Sequence, residues 1–275
     1  MSKNNSNKIS NIYAKKSLGQ NFLQNQDIVV KMCDSIDIAN SNVLEIGAGM
    51  GILTREILKN KPKSLFVIEK DTRMMDFLKP IEAEYSNLSI MNGDALKFKL
   101  ADVVDMCCKA NGESLKLNII ANLPYNIGTT LILNWMEEVD LVKNIVVMLQ
   151  KEVVMRITAT PKSKDYGRIS VLIQSLCDVE KLFDVSPDNF FPRPKVMSAV
   201  VKITPKKNRI SIDEYQKLDY ICKIFFSQRR KTINNILKHE EGFLKKELLT
   251  FITSTTRAEE LSVADYLQMI KKSNT

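Results

Sequence analysis

The sequence predicts an α/β protein with a mainly parallel sheet, followed by a smaller helical region. Two observations lead to this class. Apolar strand-like runs alternate with helical periodicity up to about residue 150, and the first run enters a glycine-rich turn, Gly47 to Gly51, directly before a helix. Alternating strands and helices are typical of a parallel sheet covered on both faces. We therefore expect a ligand crevice at the carboxyl ends of the strands.

The predicted elements follow one another in chain order. The run "NVLEIGAGMG" is a strand that enters a glycine turn, "ILTREILKN" a helix, "SLFVIEKD" a second strand and "TRMMDFLKPIEAEY" a second helix. The runs "LSIMNGDAL", "LNIIANLPY" and "NIVVMLQ" supply three further strand candidates. After the polar loop "PKSKDYGR", the β-like runs "ISVLIQSLCDV" and "SAVVKITP" predict two more.

The strand pattern ends at Pro205, and from "SIDEYQKLDYICKIFFSQRRKTINNILKH" onward the periodicity is helical. We therefore predict an α/β domain over residues 14–205 and a helical domain over residues 206–275. Residues 1–13 are rich in Asn, Ser and Lys with little to bury, so we predict a disordered tail there.

Composition excludes several classes of protein. The chain has 275 residues, 44% of them hydrophobic and 26% charged, which is typical of a soluble globular protein. No run approaches the roughly 18 apolar residues of a membrane span, and the N-terminus lacks an apolar signal core. We expect a cytoplasmic protein without a membrane partner. A mitochondrial transit peptide is the weaker alternative, because such peptides favour Arg.

Cysteine and histidine usage argues against metal and histidine-based chemistry. The five cysteines are scattered without a CxxC motif, and His239 is the single histidine. We expect neither a structural metal site nor a disulfide framework. Catalysis by a Ser-His-Asp or Cys-His arrangement is also poorly supported.

Charge indicates a polyanionic partner. The net charge is +8, and residues 206–275 alone carry 14 Lys and Arg against 9 Asp and Glu. Such an excess is most often associated with nucleic acid, although a merely solvated basic surface is an equal alternative on charge alone. Within this region Arg229, Arg230 and Lys231 are consecutive.

The glycine turn and the next two strand ends suggest a nucleoside cofactor. Gly47 and Gly49 lie where a strand passes into a helix, which allows the backbone to approach a ligand closely. Glu69 ends the second strand, where a carboxylate can accept both hydroxyls of a ribose. Asp94 ends the third strand and is placed to accept from an adenine amine, although a turn Asp is the simpler explanation. NAD and S-adenosylmethionine (SAM) both fit, but the GxGxG spacing differs from the pyrophosphate-binding GxGxxG.

The fourth strand ends in "NLPY", which places an amide, a proline and an aromatic ring at the expected crevice. Asn122 would face the reactive end of the cofactor. Asn and Pro also occur in ordinary turns, but the company of Gly47, Glu69 and Asp94 makes that explanation improbable.

The sequence resembles the ribosomal RNA adenine dimethyltransferases from about residue 14 to 267. The shared motifs are "KKSLGQNFL", "LEIGAGMGILT", "VIEKD", "NGDAL", "NLPYNIGTTLI", "FFPRPKVMSAVV", "FFSQRRKTINN" and "RAEELSV". The last two match the small-subunit branch best. One departure is Met197, where the family usually has Asp.

The resemblance implies a Rossmann-like SAM-dependent methyltransferase sheet with a small C-terminal all-helical domain. It assigns Asn21 and Leu23 to a segment that closes over SAM, and Gly47 to the methionine side. It assigns Glu69 to the ribose and Asp94 to the adenine. The cofactor-binding residues that we expect are therefore Asn21, Leu23, Gly47, Gly49, Glu69, Asp94 and Asn122.

The resemblance also implies the catalytic residues. Asn122 and the backbone of Leu123 would accept the hydrogens of the target amine, and Tyr125 and Phe190 would stack on the base. The RNA contacts Arg229, Arg230 and Lys231 are expected from the positive charge of the C-terminal region, with a solvated face as the alternative.

The implied reaction is dimethylation of two adjacent adenosines near the 3′ end of small-subunit ribosomal RNA, within an immature particle and by a monomer. The alternatives are a large-subunit methylase of the erythromycin-resistance type and a non-catalytic assembly or transcription factor on the same fold.

Overall fold

The computed structural model describes residues 20–108, 116–238 and 255–272. The strands are β1 (Phe22–Leu23), β2 (Asn42–Ile46), β3 (Ser64–Glu69), β4 (Leu88–Asn92), β5 (Leu117–Asn122), β6 (Val142–Gln150), β7 (Cys177–Val185), β8 (Phe190–Phe191) and β9 (Ser198–Pro205). The helices are α1 (Gln26–Asp34), α2 (Ile52–Lys59), α3 (Met75–Glu84), α4 (Leu100–Cys108), α5 (Gly128–Glu137), α6 (Lys151–Ile157), α7 (Arg168–Leu176), α8 (Ile212–Ser227), α9 (Ile233–Leu237) and α10 (Val263–Lys272). The predicted tail, residues 1–13, and His239 lie outside the described residues.

The described strands form one large sheet and one small one. The large sheet has the order β4-β3-β2-β5-β6-β9-β7, and β1 pairs with β8 in a separate two-stranded sheet. Strands β2 to β6 are mutually parallel, which confirms the predicted α/β class. At the far edge β9 runs antiparallel to both β6 and β7. No helix of α type lies in residues 186–197 between β7 and β9, and a connection without a crossover helix favours antiparallel pairing.

The prediction of a strand at "ISVLIQSLCDV" was wrong for most of its length. Residues Arg168–Leu176 form helix α7, and strand β7 begins only at Cys177. Six of the nine residues of α7 are buried, so the helix lacks a polar face that would reveal helical periodicity. A short apolar run of this kind cannot be distinguished from a buried strand by its pattern.

Two hydrophobic clusters cover the two faces of the large sheet. Successive residues of a strand point to opposite faces. Accordingly Leu44 and Ile46 belong to one cluster, whereas Val43 belongs to the other together with Val67. The alternation places Glu45 on the same face as Val43, the face that α1, α2 and α3 cover.

Within the described ranges after β9 the regular elements are helices, and the long helical run is interrupted. Helix α8 begins with a capping box between Ser211 and Glu214 and ends at Ser227. A turn then leads to Thr232, whose side chain caps α9. Phe225 of α8 is buried in the same cluster as residues of the sheet. The division of the chain at residues 205 and 206 stays a prediction.

Among the described residues no helix is both long and apolar enough to cross a lipid bilayer.

Candidate active site

A cleft of about 810 Å³ opens where the carboxyl ends of β2, β3 and β5 meet the short strand β1. Parallel strands place their carboxyl ends at one edge of a sheet, so residues distant in sequence converge there. The predicted site residues that line this cleft are Asn21, Leu23, Gly47, Gly49, Glu69, Asp94, Asn122, Leu123 and Tyr125.

The glycine turn forms the wall of the cleft after β2. Gly47 has φ of 72° and Gly49 has φ of 56°, in the left-handed region that residues with a Cβ atom rarely adopt. A Cβ atom at Gly49 would lie 3.1 Å from the ring of Phe22 in β1. The turn therefore requires glycine both for its backbone conformation and for its close approach to the N-terminal strand.

Glu69 is the buried acid at the end of β3. Its Oε2 accepts from the backbone N–H of Gly49 at 2.9 Å, and its Oε1 accepts from that of Asp71 at 2.8 Å. Burial raises the pKa of the carboxyl, and the two backbone donors partly oppose that shift. The hydrogen bond from Gly49 fixes the glycine turn against the end of the neighbouring strand.

Asp94 lies at the cleft rim after β4 and has two partners in the structure. Its Oδ2 accepts from Lys70 Nζ at 2.7 Å, and its Oδ1 accepts from the backbone N–H of Leu96 at 3.1 Å. The hydrogen bond from Lys70 is the main cause that lowers the pKa of Asp94. The group is thus an ionised acceptor, and it also performs the turn-capping role that the sequence left open.

Asn122 connects the end of β5 with the N-terminal segment. Its Nδ2 donates to the backbone carbonyl of Asn21 at 3.3 Å. The backbone oxygen of Asn122 lies 3.9 Å from the position of a Cβ atom on Gly47. Because the amide nitrogen is used toward Asn21, the side-chain oxygen is the end that can accept from a ligand.

Tyr125 is held by a residue that the sequence reasoning did not select. The hydroxyl groups of Tyr125 and Ser198 lie 2.6 Å apart, which joins the segment after β5 to the start of β9. Burial raises the pKa of the tyrosine, so it stays protonated near neutral pH. The contact fixes the phenol end of the ring while the side chain lines the cleft.

Phe190 does not line the cleft in this structure. It pairs with Leu23 across the two-stranded sheet and is 4% exposed in the hydrophobic cluster beneath it. The next residue, Phe191, is 54% exposed. Stacking of Phe190 on a base stays a prediction, and it requires that ring to become accessible.

Two acids, one lining the cleft and one beside Glu69, were missed by the sequence reasoning. Glu45 in β2 is 1% exposed and lines the cleft. Asp71 accepts from Gln20 at 2.8 Å and from the guanidinium of Arg73, which anchors the start of the N-terminal segment beside Glu69. The signal for Glu45 was available, since an acid inside an apolar strand requires an explanation. Asp71 carried no such signal.

The predicted RNA-binding residues lie outside this cleft, and the structure separates them. Arg229 donates through Nε to Glu259 at 2.5 Å and through Nη2 to the carbonyl of Lys164 at 2.7 Å. Arg230 and Lys231 are exposed. Arg229 thus joins three segments of the protein, while its two neighbours face solvent.

The cleft residues fit a SAM molecule in charge and shape. The buried carboxyl of Glu69 stands at the end of β3, and the glycine turn leaves room where Cβ atoms would project. Such a turn without a GxGxxG spacing suits a nucleoside that lacks a pyrophosphate. Within the described ranges, no group of three or more His, Cys, Asp or Glu could hold a metal ion.

Comparisons with known proteins agree with this geometry. The family model described as ribosomal RNA adenine dimethylase matches residues 11–275. The chain is 40% identical to ribosomal RNA small subunit methyltransferase A of Saccharophagus degradans over 258 residues, which is 93% of each protein. It is 39% identical over 260 residues to the protein of the same name from a Wolbachia strain of Drosophila simulans, covering 92% of this chain and 90% of that one.

A solved structure gives the same result for the fold. A dimethyladenosine transferase from Plasmodium falciparum superposes with a TM-score of 0.77 at 28% identity, covering 92% of this chain and 97% of the other. Together, the family match across nearly the whole chain and relatives at about 40% identity establish that the chain belongs to the ribosomal RNA adenine dimethylase family.

Proposed function

We propose that this protein transfers methyl groups from SAM to the exocyclic amines of two adjacent adenosines near the 3′ end of small-subunit ribosomal RNA. The relatives with nearly full coverage carry the name of small-subunit methyltransferases, which supports this substrate over large-subunit RNA. The observation that carries the reaction is the position of "NLPY" beside the glycine turn, where Asn122 lines the cleft.

The chain has to activate a weak nucleophile. The lone pair of an adenine amine is delocalised into the ring, whereas SAM, when bound, supplies an electrophilic methyl group on its sulfonium. The side-chain oxygen of Asn122 and the backbone carbonyl of Leu123 each accept one amine hydrogen. The two acceptors draw the nitrogen toward a tetrahedral shape and aim its lone pair at the methyl group.

Neighbouring residues hold these acceptors in place. Pro124 fixes the backbone after Leu123, and the N–H of Leu123 donates to the carbonyl of Met148 at 3.1 Å. Tyr125, held by Ser198, offers a ring for stacking, which is worth roughly 1 to 3 kcal/mol per base. The amine loses a proton after the transfer, so no histidine base is needed.

Cofactor contacts follow from the same cleft. Glu69 accepts the ribose hydroxyls and Asp94 accepts the adenine amine. Gly47 and Gly49 admit the methionine portion. Asn21 and Leu23 cover the cofactor from the N-terminal side, where the contact between Asn122 and Asn21 joins the cover to the catalytic strand.

The RNA has to present an unstacked base, because a base within a helix cannot enter such a cleft. Arg230 and Lys231 are exposed and bind phosphates of the RNA outside the cleft. The natural substrate is an immature small-subunit particle in the cytoplasm, and the enzyme acts as a monomer. Arg229 is bound to Glu259 and to the carbonyl of Lys164, so it supports this surface and does not contact phosphate.

Methyl transfer from labelled SAM to separated immature small and large ribosomal particles tests the proposal. We expect label in two adjacent adenosines of the small-subunit RNA. Label in large-subunit RNA would favour the resistance-type alternative, and the absence of label in both particles, despite RNA binding, would favour a non-catalytic factor.

A further inference from the structure

Glu45 has an unusual position for an acidic side chain. It lies in strand β2, between β3 and β5 of the large sheet, is 1% exposed and lines the cleft. Its Oε2 accepts from the hydroxyl of Thr54 at 2.7 Å, while its Oε1 is buried without a hydrogen-bond partner. A buried polar atom without a partner costs free energy, so its retention at a ligand site requires a reason.

The surroundings of Glu45 offer no compensating cation. Glu45 lies opposite Val67 of β3, so Glu69, two residues further, points to the same face and places a second carboxyl nearby. On the other side, strand β5 contributes Ile120. The ion pairs recorded within residues 20–108, 116–238 and 255–272 do not include Glu45.

Helices α1, α2 and α3 pack on this face and contribute further titratable groups. Cys33 of α1 has a pKa raised to about 12 by burial and so stays a neutral thiol. On α2, Glu56 and Lys59 form an ion pair of 2.8 Å with each other. Arg55 of α2 pairs with Glu84 of α3 at 3.6 Å. The other charges of these helices at the cleft therefore have partners of their own, apart from Asp76 of α3.

These surroundings determine the charge state of Glu45 in the free protein. Burial, with a smaller contribution from Glu69, raises the pKa of Glu45 to about 8, while the hydrogen bond from Thr54 opposes the shift. The group is consequently neutral at pH 7 until a positive charge enters the cleft. SAM carries such a charge on its sulfonium, and its demethylated product, S-adenosylhomocysteine, does not.

We propose that Glu45 makes the cleft favour the sulfonium cofactor over the demethylated product, because binding of the sulfonium displaces the proton of Glu45 and leaves a carboxylate that offsets the charge of the ligand. The inference rests on the proposed use of SAM. The O–H bond of the carboxyl group breaks, its electron pair remains on oxygen and the proton passes to solvent. After methyl transfer the sulfonium charge is gone, Glu45 takes up a proton from solvent, and the product, which keeps its ammonium group, is released.

The direction of the pH dependence follows from proton release. SAM affinity rises with pH up to about 8, the pKa of the free protein, by at most about tenfold per pH unit, and is level above it. S-adenosylhomocysteine has the same amino and carboxyl groups as SAM. It is therefore a matched control ligand. The pH dependence of its affinity contains every contribution that SAM has, except that of the sulfonium charge.

Calorimetric titration at pH 7 in two buffers of different ionisation enthalpy measures the protons released. We expect SAM to release close to one proton more than S-adenosylhomocysteine. Glu45→Gln should remove this excess and lower the ratio of SAM affinity to product affinity by about tenfold. Glu56→Gln, a nearby acid paired with Lys59, is the matched control and should leave both quantities as in the wild type.

The possible outcomes separate this inference from the proposed function. Binding of SAM by the wild type without excess proton release would overturn the role of Glu45 and leave the function intact, whereas no SAM binding would overturn the function itself. If Glu45→Gln does not fold, Thr54→Val replaces it. Loss of the hydroxyl donor should move the proton release to higher pH, and an unchanged profile would contradict the inference.

Discussion

The cofactor cleft and the cationic turn of Arg229, Arg230 and Lys231 were both predicted from short motifs. They differ in whether the predicted residues have a common environment in the structure. In the cleft, residues from five motifs line one cavity. In the turn, three consecutive cations are divided, because Arg229 is bound to Glu259 and to the carbonyl of Lys164. Arg230 and Lys231 remain exposed.

The difference shows which roles a motif can specify. Glycine with a positive φ and acids at the ends of parallel strands are placed by the backbone, so their neighbours follow from the topology of the sheet. The partner of a long cationic side chain depends on whichever segment folds next to it. Here that segment is the loop after α6, more than 60 residues earlier in the chain.

Substitution of Asn122 should give the largest effect and tests the cleft directly. Asn122→Ala removes an acceptor that matters most in the transition state, so we expect turnover to fall by roughly 100-fold or more. Initial rates of methyl transfer to small-subunit particles measure it. RNA affinity should stay near the wild-type value, and near-normal turnover would refute the proposed role of Asn122.

Substitution of Glu69 should give the next largest effect. Glu69→Ala removes a charged acceptor from two ribose hydroxyls, which is worth about 1.5 to 3 kcal/mol of SAM binding. Calorimetric titration with SAM measures the loss. Wild-type affinity would reject the assignment, and tight binding of NAD would indicate a dehydrogenase site instead. Because Glu69 also accepts from Gly49, a melting curve has to show that the variant is folded.

A double substitution tests the exposed part of the turn. Replacement of Arg230 and Lys231 by Gln should flatten the salt dependence of particle binding by about two units of log-log slope, since each contact with a phosphate contributes about one unit. Urea unfolding should be unchanged because both side chains are exposed. An unchanged slope would mean that these two residues only solvate the surface.

Arg229→Gln should give the smallest effect and completes the comparison. The salt slope should remain near that of the wild type, whereas the free energy of unfolding should fall by about 1 kcal/mol. The estimate is kept low because the Arg229 side chain is 42% exposed and solvent screens its pair with Glu259. Urea unfolding measures this free energy. A flatter salt dependence of particle binding at unchanged stability would indicate that Arg229 contacts RNA after all.

The resemblance carried by ordered motifs predicted the residues of the cleft, but three features beside it did not follow. The buried Phe190 and exposed Phe191 are adjacent in sequence, and only the register of β8 against β1 decides which ring faces the core. Helix α7 was taken for a strand because its surface is buried on nearly all sides. Ser198 reaches Tyr125 only because β9 returns beside β6.

The sulfonium cofactor and the amine substrate followed from the family resemblance. The sequence by itself also determined the α/β class and the crevice at the carboxyl ends of β2, β3 and β5. These properties depend on local periodicity, on glycine conformations and on strand ends, all of which are encoded within short segments. Only the tertiary structure decided that Arg229 supports the fold and that Glu45 is buried beside Glu69 without a cation. Segments that are distant in sequence and meet through folding decide whether a charged side chain is buried and which partner it has. These neighbours affect its protonation and its contribution to stability more than the motif in which it lies.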